Sequence, residues 1–365
     1  MRTGVAHLPL HHGKAPRWLF AKMVRLAREI TRFVVEEFGP HEMLARLSDP
    51  YWFQAFGCVL AFDWHSSGVT TTVCGALKEG VRGLEEELGL FVCGGKGATS
   101  RKTPTELAAW GERLGFDPAP LVYASRMSAK VDNTAVQDGY QLYHHAFLFT
   151  SDGTWAVVQQ GMSDETKYAR RYHWLSTTVE RFVCEPHSAI CCDARGETLN
   201  FVAHQSEAAR QTVTRLAQQA PQDTVAELQR VRELALPAHH LVPHDDEFQW
   251  SRLAKTLEKA REASPGDFEA LLTVEGVGPK TLRALSLLSE LVYGAPPSYT
   301  DPVRYSFAHG GKDGHPYPVD RVTYEQSIAV LHRALERAKV DHTDRVVAFR
   351  RLASWVSTSE EVGPA

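Results

Sequence analysis

Residues 142–160 read LYHHAFLFTSDGTWAVVQQ, and this stretch decides the fold class. Two β-prone runs, 142–150 and 154–160, flank Ser151-Asp152-Gly153, where the Asp-Gly step supplies the positive φ that a tight hairpin needs. Side chains alternate across a strand, so the adjacent His144 and His145 must face opposite sides and at most one can serve a given site. Working outward, the runs at 58–64, 70–74, 181–184 and 199–204 read as further strands. Upstream, Pro16 opens a helix at 16–38 with Leu19, Met23, Leu26, Ile30, Phe33 and Val34 on one face, and a short helix follows at 41–47. Thr103-Pro104-Thr105-Glu106 has the form of a capping box and starts another. Residues 1–204 are therefore expected to form an α/β domain, a mixed sheet with helices, and to be the candidate catalytic domain.

After residue 204 the pattern changes. Helical periodicity runs through 206–219, 224–236, 248–263, 267–272, 281–293, 324–339 and 344–356 with no strand run between, so 205–365 is expected to be an all-helical domain. A length of 365 residues agrees with two domains, and 43% hydrophobic with 23% charged residues is an ordinary globular balance. Forty Lys and Arg against forty-four Asp and Glu leave a net charge of −4, which gives no whole-chain sign of a polyanionic partner. The amino end differs from that average: Arg2, Lys14, Arg17, Lys22, Arg25, Arg28 and Arg32 face only Glu29. Neither a membrane span nor a secretory signal can be read, so no membrane partner and a cytoplasmic location are expected. The six cysteines form no CxxC pair, which argues against a zinc ribbon or a disulfide scaffold. Gly94-Gly95-Lys96-Gly97 lacks Walker A spacing and reads as a mobile basic loop; GxSxG and HExxH are also missing, so no nucleotide or redox cofactor is expected.

Residues 271–285, LLTVEGVGPKTLRAL, carry the most readable chemistry. Gly276 and Gly278 permit a tight turn with no side chain to hold a phosphate away, and Val277 plugs the turn onto its helices. Pro279 at the first helical position aims free N–H groups and the positive helix end at an anion, beside Lys280 and Thr281. The string resembles a helix-hairpin-helix DNA-binding motif spanning 267–293, which implies a grip on DNA backbone without sequence readout. Lys14, Arg17, Arg101 and Lys102 are candidate additional phosphate contacts, and Trp18, Tyr172 and Trp174 candidate stacking surfaces. The hairpin also resembles that of the helix-hairpin-helix-GPD DNA glycosylases, because Gly294-Ala295-Pro296-Pro297 leads on to Asp301 and Lys280 occupies the lysine position. That resemblance implies a Schiff-base role for Lys280 and a charge-stabilising role for Asp301, with Asp320 a second candidate aspartate.

The strings GVAHLPLHHGKAPRWLF, LSDPYWFQAFGCVLAFDWHSSGVTTTVCGALKEG, SRMSAKVDNTAVQDGYQLYHH, WAVVQQGM, EPHSAIC and SFAHGGKDGHPYPVDR resemble the domain of unknown function family 763 from about Thr3 to about Arg351. The resemblance implies that both halves work as one unit and brings no settled activity. Within the first half, Asp63, His65, Lys130, Asp132, Asp138 and His144 form a candidate catalytic set, with Glu185 and His187 flanking Pro186. Asp63, His65, Asp138 and Glu185 could hold Mg²⁺ or Mn²⁺ to activate water for phosphodiester cleavage, with Lys130 supporting the charge that develops. The expected protein is therefore a DNA-repair or DNA-processing nuclease whose partners are DNA and other repair proteins. A glycosylase or abasic-site lyase and a non-catalytic repair scaffold are the alternatives.

Overall fold

A computed structural model describes residues 15–60, 68–166, 168–192, 194–232, 239, 249–303 and 321–360. Five helices come first: α1 (Arg17–Phe38), α2 (Pro40–Ser48), α3 (Pro50–Val59), α4 (Gly68–Val81) and α5 (Glu85–Leu88). Strand β1 (Leu90–Lys96), helices α6 (Thr103–Leu114) and α7 (Ala119–Lys130) and a π-helical turn, Val131–Ala135, lead to β2 (Val136–Gln137). Next come β3 (Gln141–Thr150), β4 (Trp155–Met162), β5 (Ala169–Leu175), β6 (Ala189–Cys191) and β7 (Leu199–Asn200). The remainder is helical: α8 (Glu207–Ala217), α9 (Pro221–Arg232), α10 (Trp250–Ala263), α11 (Phe268–Thr273), α12 (Pro279–Leu291), α13 (Arg321–Arg337) and α14 (His342–Glu360).

The main sheet has the order β1-β3-β4-β5-β6, and every pairing is antiparallel rather than mixed. The β3–β4 hairpin forms as its Asp-Gly turn dictates: Asp152 accepts from Thr154 N and Gly153 takes φ +87°. Both faces of the sheet are buried. Phe91, Phe147, Phe149, Val157, Tyr172 and Trp174 point to one side, where they share a core with α6–α12. Val92, Ala146, Leu148, Ala156 and Val158 point to the other, where they share a core with α1–α4, α13 and α14. The change of pattern at residue 204 is thus a division of secondary structure, while the helices beyond it pack into both cores.

Three strand expectations are corrected. Residues 58–64 and 70–74 are not strands in their described parts, because Cys58 and Val59 end α3 and Thr70 to Cys74 lie inside α4. Asp49 caps α3 by accepting from Tyr51 N and Trp52 N, and Pro50 opens it; burial on all sides removes the periodicity that would mark it as a helix. In α4, packing against α1 overrides the β-preference of the threonines and valine. Residues 181–184 form a turn, and the strand lies earlier, as β5, whose Arg170 and Arg171 hid it. Of 199–204 only two residues pair, as β7 with β2.

The capping box at Thr103 is also not made. Thr103 donates to Ser100 O, and Glu106 instead accepts from Gly94 N and Lys78 Nζ, both at 2.8 Å, which ties α6 to β1. Gly94, expected in a mobile loop, is inside that strand with φ +82°, and a Cβ there would lie 2.2 Å from His145 O. Gly94→Ala should therefore cost more than about 2 kcal/mol, since neither φ nor the facing backbone can yield. Chemical denaturation measures this, and an unchanged midpoint would contradict the close approach.

Candidate functional site

The π-helical turn after α7 carries Asp132 into the core under the sheet, where it is 0% exposed. Its Oδ2 accepts from Gln159 Nε2 at 2.5 Å and from Trp174 Nε1 at 3.0 Å, and its Oδ1 accepts from His187 Nε2 at 2.5 Å. Gln159 spends its amide nitrogen on Asp132, so its Oε1 accepts from His145 Nδ1 at 2.8 Å. His145 Nε2 is then an acceptor, and the Ser125 hydroxyl donates to it at 2.9 Å. A continuous chain results: Ser125, His145, Gln159, Asp132, His187. Burial pushes His145 below the usual imidazole range, in keeping with the neutral tautomer this chain requires.

The chain ends at a cavity of about 310 Å³ between β6 and residues 298–303, lined by Glu185, His187, Arg195, Asn200, Thr300 and Asp301 among others. His187 has a side-chain exposure of 6%, and its ring sits edge-on to Trp174 at 4.5 Å. Glu185 has φ +44°, a left-handed backbone that non-glycine residues seldom adopt, held by its N–H to Val202 O at 2.7 Å.

Arg170 organises a second buried cluster. It pairs with Asp138 at 2.9 Å and with both oxygens of Asp301 at 2.8 and 3.1 Å, while Tyr172 donates to Asp138 at 2.7 Å. Asp301 also accepts from Gly196 N and Val303 N, so it clamps the segment after α12 to the sheet.

The hairpin forms between α11 and α12. Gly276 takes φ +93° with Thr256 close enough to leave a Cβ only 3.0 Å from its Oγ1, and Val277 is 1% exposed, the plug that its sequence position implies. Lys130 donates to Val277 O, Gln137 to Pro279 O at 3.0 Å, and Arg283 to Gln137 Oε1 at 3.0 Å. These bonds engage the carbonyls of the turn and dock it beside the Asp132 turn. The N-cap Gly278 makes no side-chain cap bond, and α12 opens into a cleft of about 300 Å³ flanked by Arg252, Thr256, Lys280 and Thr281.

The candidate catalytic set is divided by the fold. Asp132 and Asp138 lie beneath one face of the sheet, whereas His144 lies on the opposite face with Ala146 and Leu148. Lys130 holds the hairpin, Lys280 lines its cleft, and Asp301 lines the other cavity. Among the described residues no group of three or more His, Cys, Asp or Glu is placed to hold a metal; Asp138 is occupied by Arg170, and Glu185 stands apart from it in the cavity. Asp63, His65, Lys14 and Asp320 lie outside the described residues. Arg17 begins α1 and is exposed, as are Arg101 and Lys102. Lys102 shares a groove with Arg25, Lys78 and Lys96, where Lys78 pairs with Glu106 and Arg25 with Asp341. Tyr172 and Trp174 are 0% exposed and offer no surface to a base, whereas Trp18 is 65% exposed. His187, Gln159 and Ser125 gained their importance only from the fold, although the Glu-Pro-His string marked a polar stretch between strands.

The family model described as Protein of unknown function (DUF763) matches residues 4–319. No curated protein and no solved structure matches the chain. Among the described residues no helix is long and apolar enough to cross a membrane.

His144 is buried with neither ring nitrogen hydrogen-bonded, and burial pushes it down to about 3. The folded ring stays neutral while an unfolded one takes a proton below its ordinary 6.5, so its contribution to stability is full above that value and is lost as pH falls toward about 3. In His144→Leu this part of the acid loss disappears, and the variant should gain on the wild type progressively from pH 7 to pH 4. Urea midpoints at each pH check this; a constant difference would show that the ring does not titrate this way.

Proposed function

From the premise that this chain belongs to the DUF763 family, whose description assigns no activity, we propose that it binds DNA through the Gly276–Thr281 hairpin and acts in DNA repair or processing, as a phosphodiester-cleaving enzyme. The observation that carries this reading is the start of α12. Gly278 brings no side chain to cap the helix's first N–H groups, and Gly278, Lys280 and Thr281 line a cleft that Arg252 shares. A helix of 13 residues places partial positive charge there, and a phosphate accepting from those amides would meet both the dipole and the cations. Such contacts recognise backbone and not bases, so the expected binding is salt-dependent and insensitive to sequence. The net charge of −4 is compatible with this, because the attraction is local.

Cleavage is favoured over the lyase reading by one arrangement: Lys280 and Asp301 line different cavities, and Asp301 is held bidentate by Arg170. Mg²⁺ or Mn²⁺ would be a component of that reaction, and among the described residues no three-ligand set is placed to hold it.

Gly278→Asp tests the hairpin without threatening its fold. Gly278 has φ −141°, and a Cβ there would meet only Gly276 O at 3.8 Å. The new carboxylate can cap α12 and take the place of a phosphate, so melting should hold or rise while affinity for a labelled duplex falls at least about tenfold. The slope of log affinity against log salt should shrink by about 0.9 for each phosphate that the variant ceases to neutralise. Unchanged affinity and slope would defeat the reading.

A further inference from the structure

The cavity beside β6 has features that the hairpin reading does not use. Asp132 accepts from His187 Nε2, so that nitrogen carries the proton and Nδ1 holds the ring's free lone pair. Among the described residues Nδ1 has no partner, and His187 lines the cavity. The carboxylate behind it cannot turn away, because Trp174 and Gln159 hold its other oxygen from two strands of the sheet. An oriented imidazole backed by a buried carboxylate has the arrangement of a general base: the carboxylate fixes the tautomer and stabilises the cation formed when the ring takes a proton. Around it stand Thr300, Asn200, whose side chain is held by Thr300 O and Val202 N, and Arg195, which donates to Val303 O and whose positive charge favours an anionic ligand; Glu185 adds a left-handed backbone, the kind of local strain that collects at working sites. A volume of about 310 Å³ suits a small ligand fragment.

We propose that His187, positioned by Asp132, is the general base of a phosphodiester-hydrolysing site in this cavity. The proposal rests on the DNA-processing reading and adds the residues of its chemistry. His187 Nδ1 takes a proton from water, and the electron pair of that O–H bond becomes the new O–P bond. The P–O ester bond breaks, its electrons pass to the departing oxygen, and that oxygen takes the proton back from the imidazolium. One water and one diester thus give one phosphate monoester and one alcohol. His187 is the catalytic residue and Asp132 a positioning residue.

The experiment uses the full chain and bis(p-nitrophenyl) phosphate, a diester too small to need the hairpin, assayed with Mg²⁺, with Mn²⁺ and with EDTA. A parallel assay follows labelled single-stranded and duplex DNA. The wild type should release nitrophenolate in at least one condition. His187→Ala should lower kcat about a hundredfold or more, with partial recovery on adding imidazole. Asp132→Asn should lower kcat with little change in KM, a split that a purely structural role would not produce. Melting curves accompany each variant; should Asp132→Asn fail to fold, His187→Gln and the imidazole recovery carry the test. No hydrolysis by the wild type in any condition, or hydrolysis indifferent to His187→Ala, overturns the proposal. Weak DNA affinity with His187-dependent hydrolysis of the small diester would instead fault the hairpin reading and leave this site standing.

Discussion

Both faces of the five-stranded sheet are buried, so a polar side chain on it is accommodated by partners inside the protein or, as at His144, by staying neutral. An antiparallel sheet usually keeps one face wet, and its polar residues then need no explanation. Here Arg170 and Arg171, adjacent on β5, enter opposite cores at 1% exposure each. Arg170 meets Asp138 and Asp301 on one side; Arg171 meets Gln54, Pro50 O and His173 on the other, above the ring of Phe53. Breaking such a pair by removing one partner leaves an uncompensated buried charge, at a cost of about 3–5 kcal/mol. The pairs also join segments distant in sequence, since Asp301 lies 131 residues from Arg170.

The same constraint shapes the candidate site. His145, Gln159 and Trp174 project from three neighbouring strands toward the core shared with α6–α12, and their polar atoms are satisfied by passing hydrogen bonds to Asp132 and onward to His187. A buried network that is fully paired is rigid, because each member depends on its neighbours. Its one outlet among these residues is the His187 ring. The hairpin is docked to the same stretch of chain: Lys130 and Gln137, which bracket the π-helical turn, hold the carbonyls of Val277 and Pro279. The glycine turn and the buried carboxylate are therefore supported by one scaffold.

Much of this was legible from residue pattern alone. The β3–β4 hairpin followed from an Asp-Gly step between two apolar runs, and the helices after residue 204 from periodicity, because both signals are local. The glycines, Val277 and Pro279 of residues 274–281 specified their turn for the same reason. Failures came where tertiary packing overrides local preference. The threonines of α4 are helical because that face is buried, α3 lost its period by being buried all round, and β5 was concealed by two arginines, one paired with Asp138 and Asp301 and the other hydrogen-bonded to Gln54 and Pro50 O, all far along the chain.

The candidate site divides in the same way. Sequence by itself determined which residues could do chemistry, and that His144 and His145 must face apart, since alternation along a strand is fixed by backbone geometry. It could not determine which acids and histidines meet. Asp132 and His187 are 55 residues apart, and only the closing of β5 and β6 over the π-helical turn brings them to 2.5 Å. Asp138 and Asp301, equally plausible as free acids in the sequence, are instead committed to Arg170. Local conformation is encoded within a few residues, but the pairing of charges depends on strand order and burial, which the chain settles only when it folds.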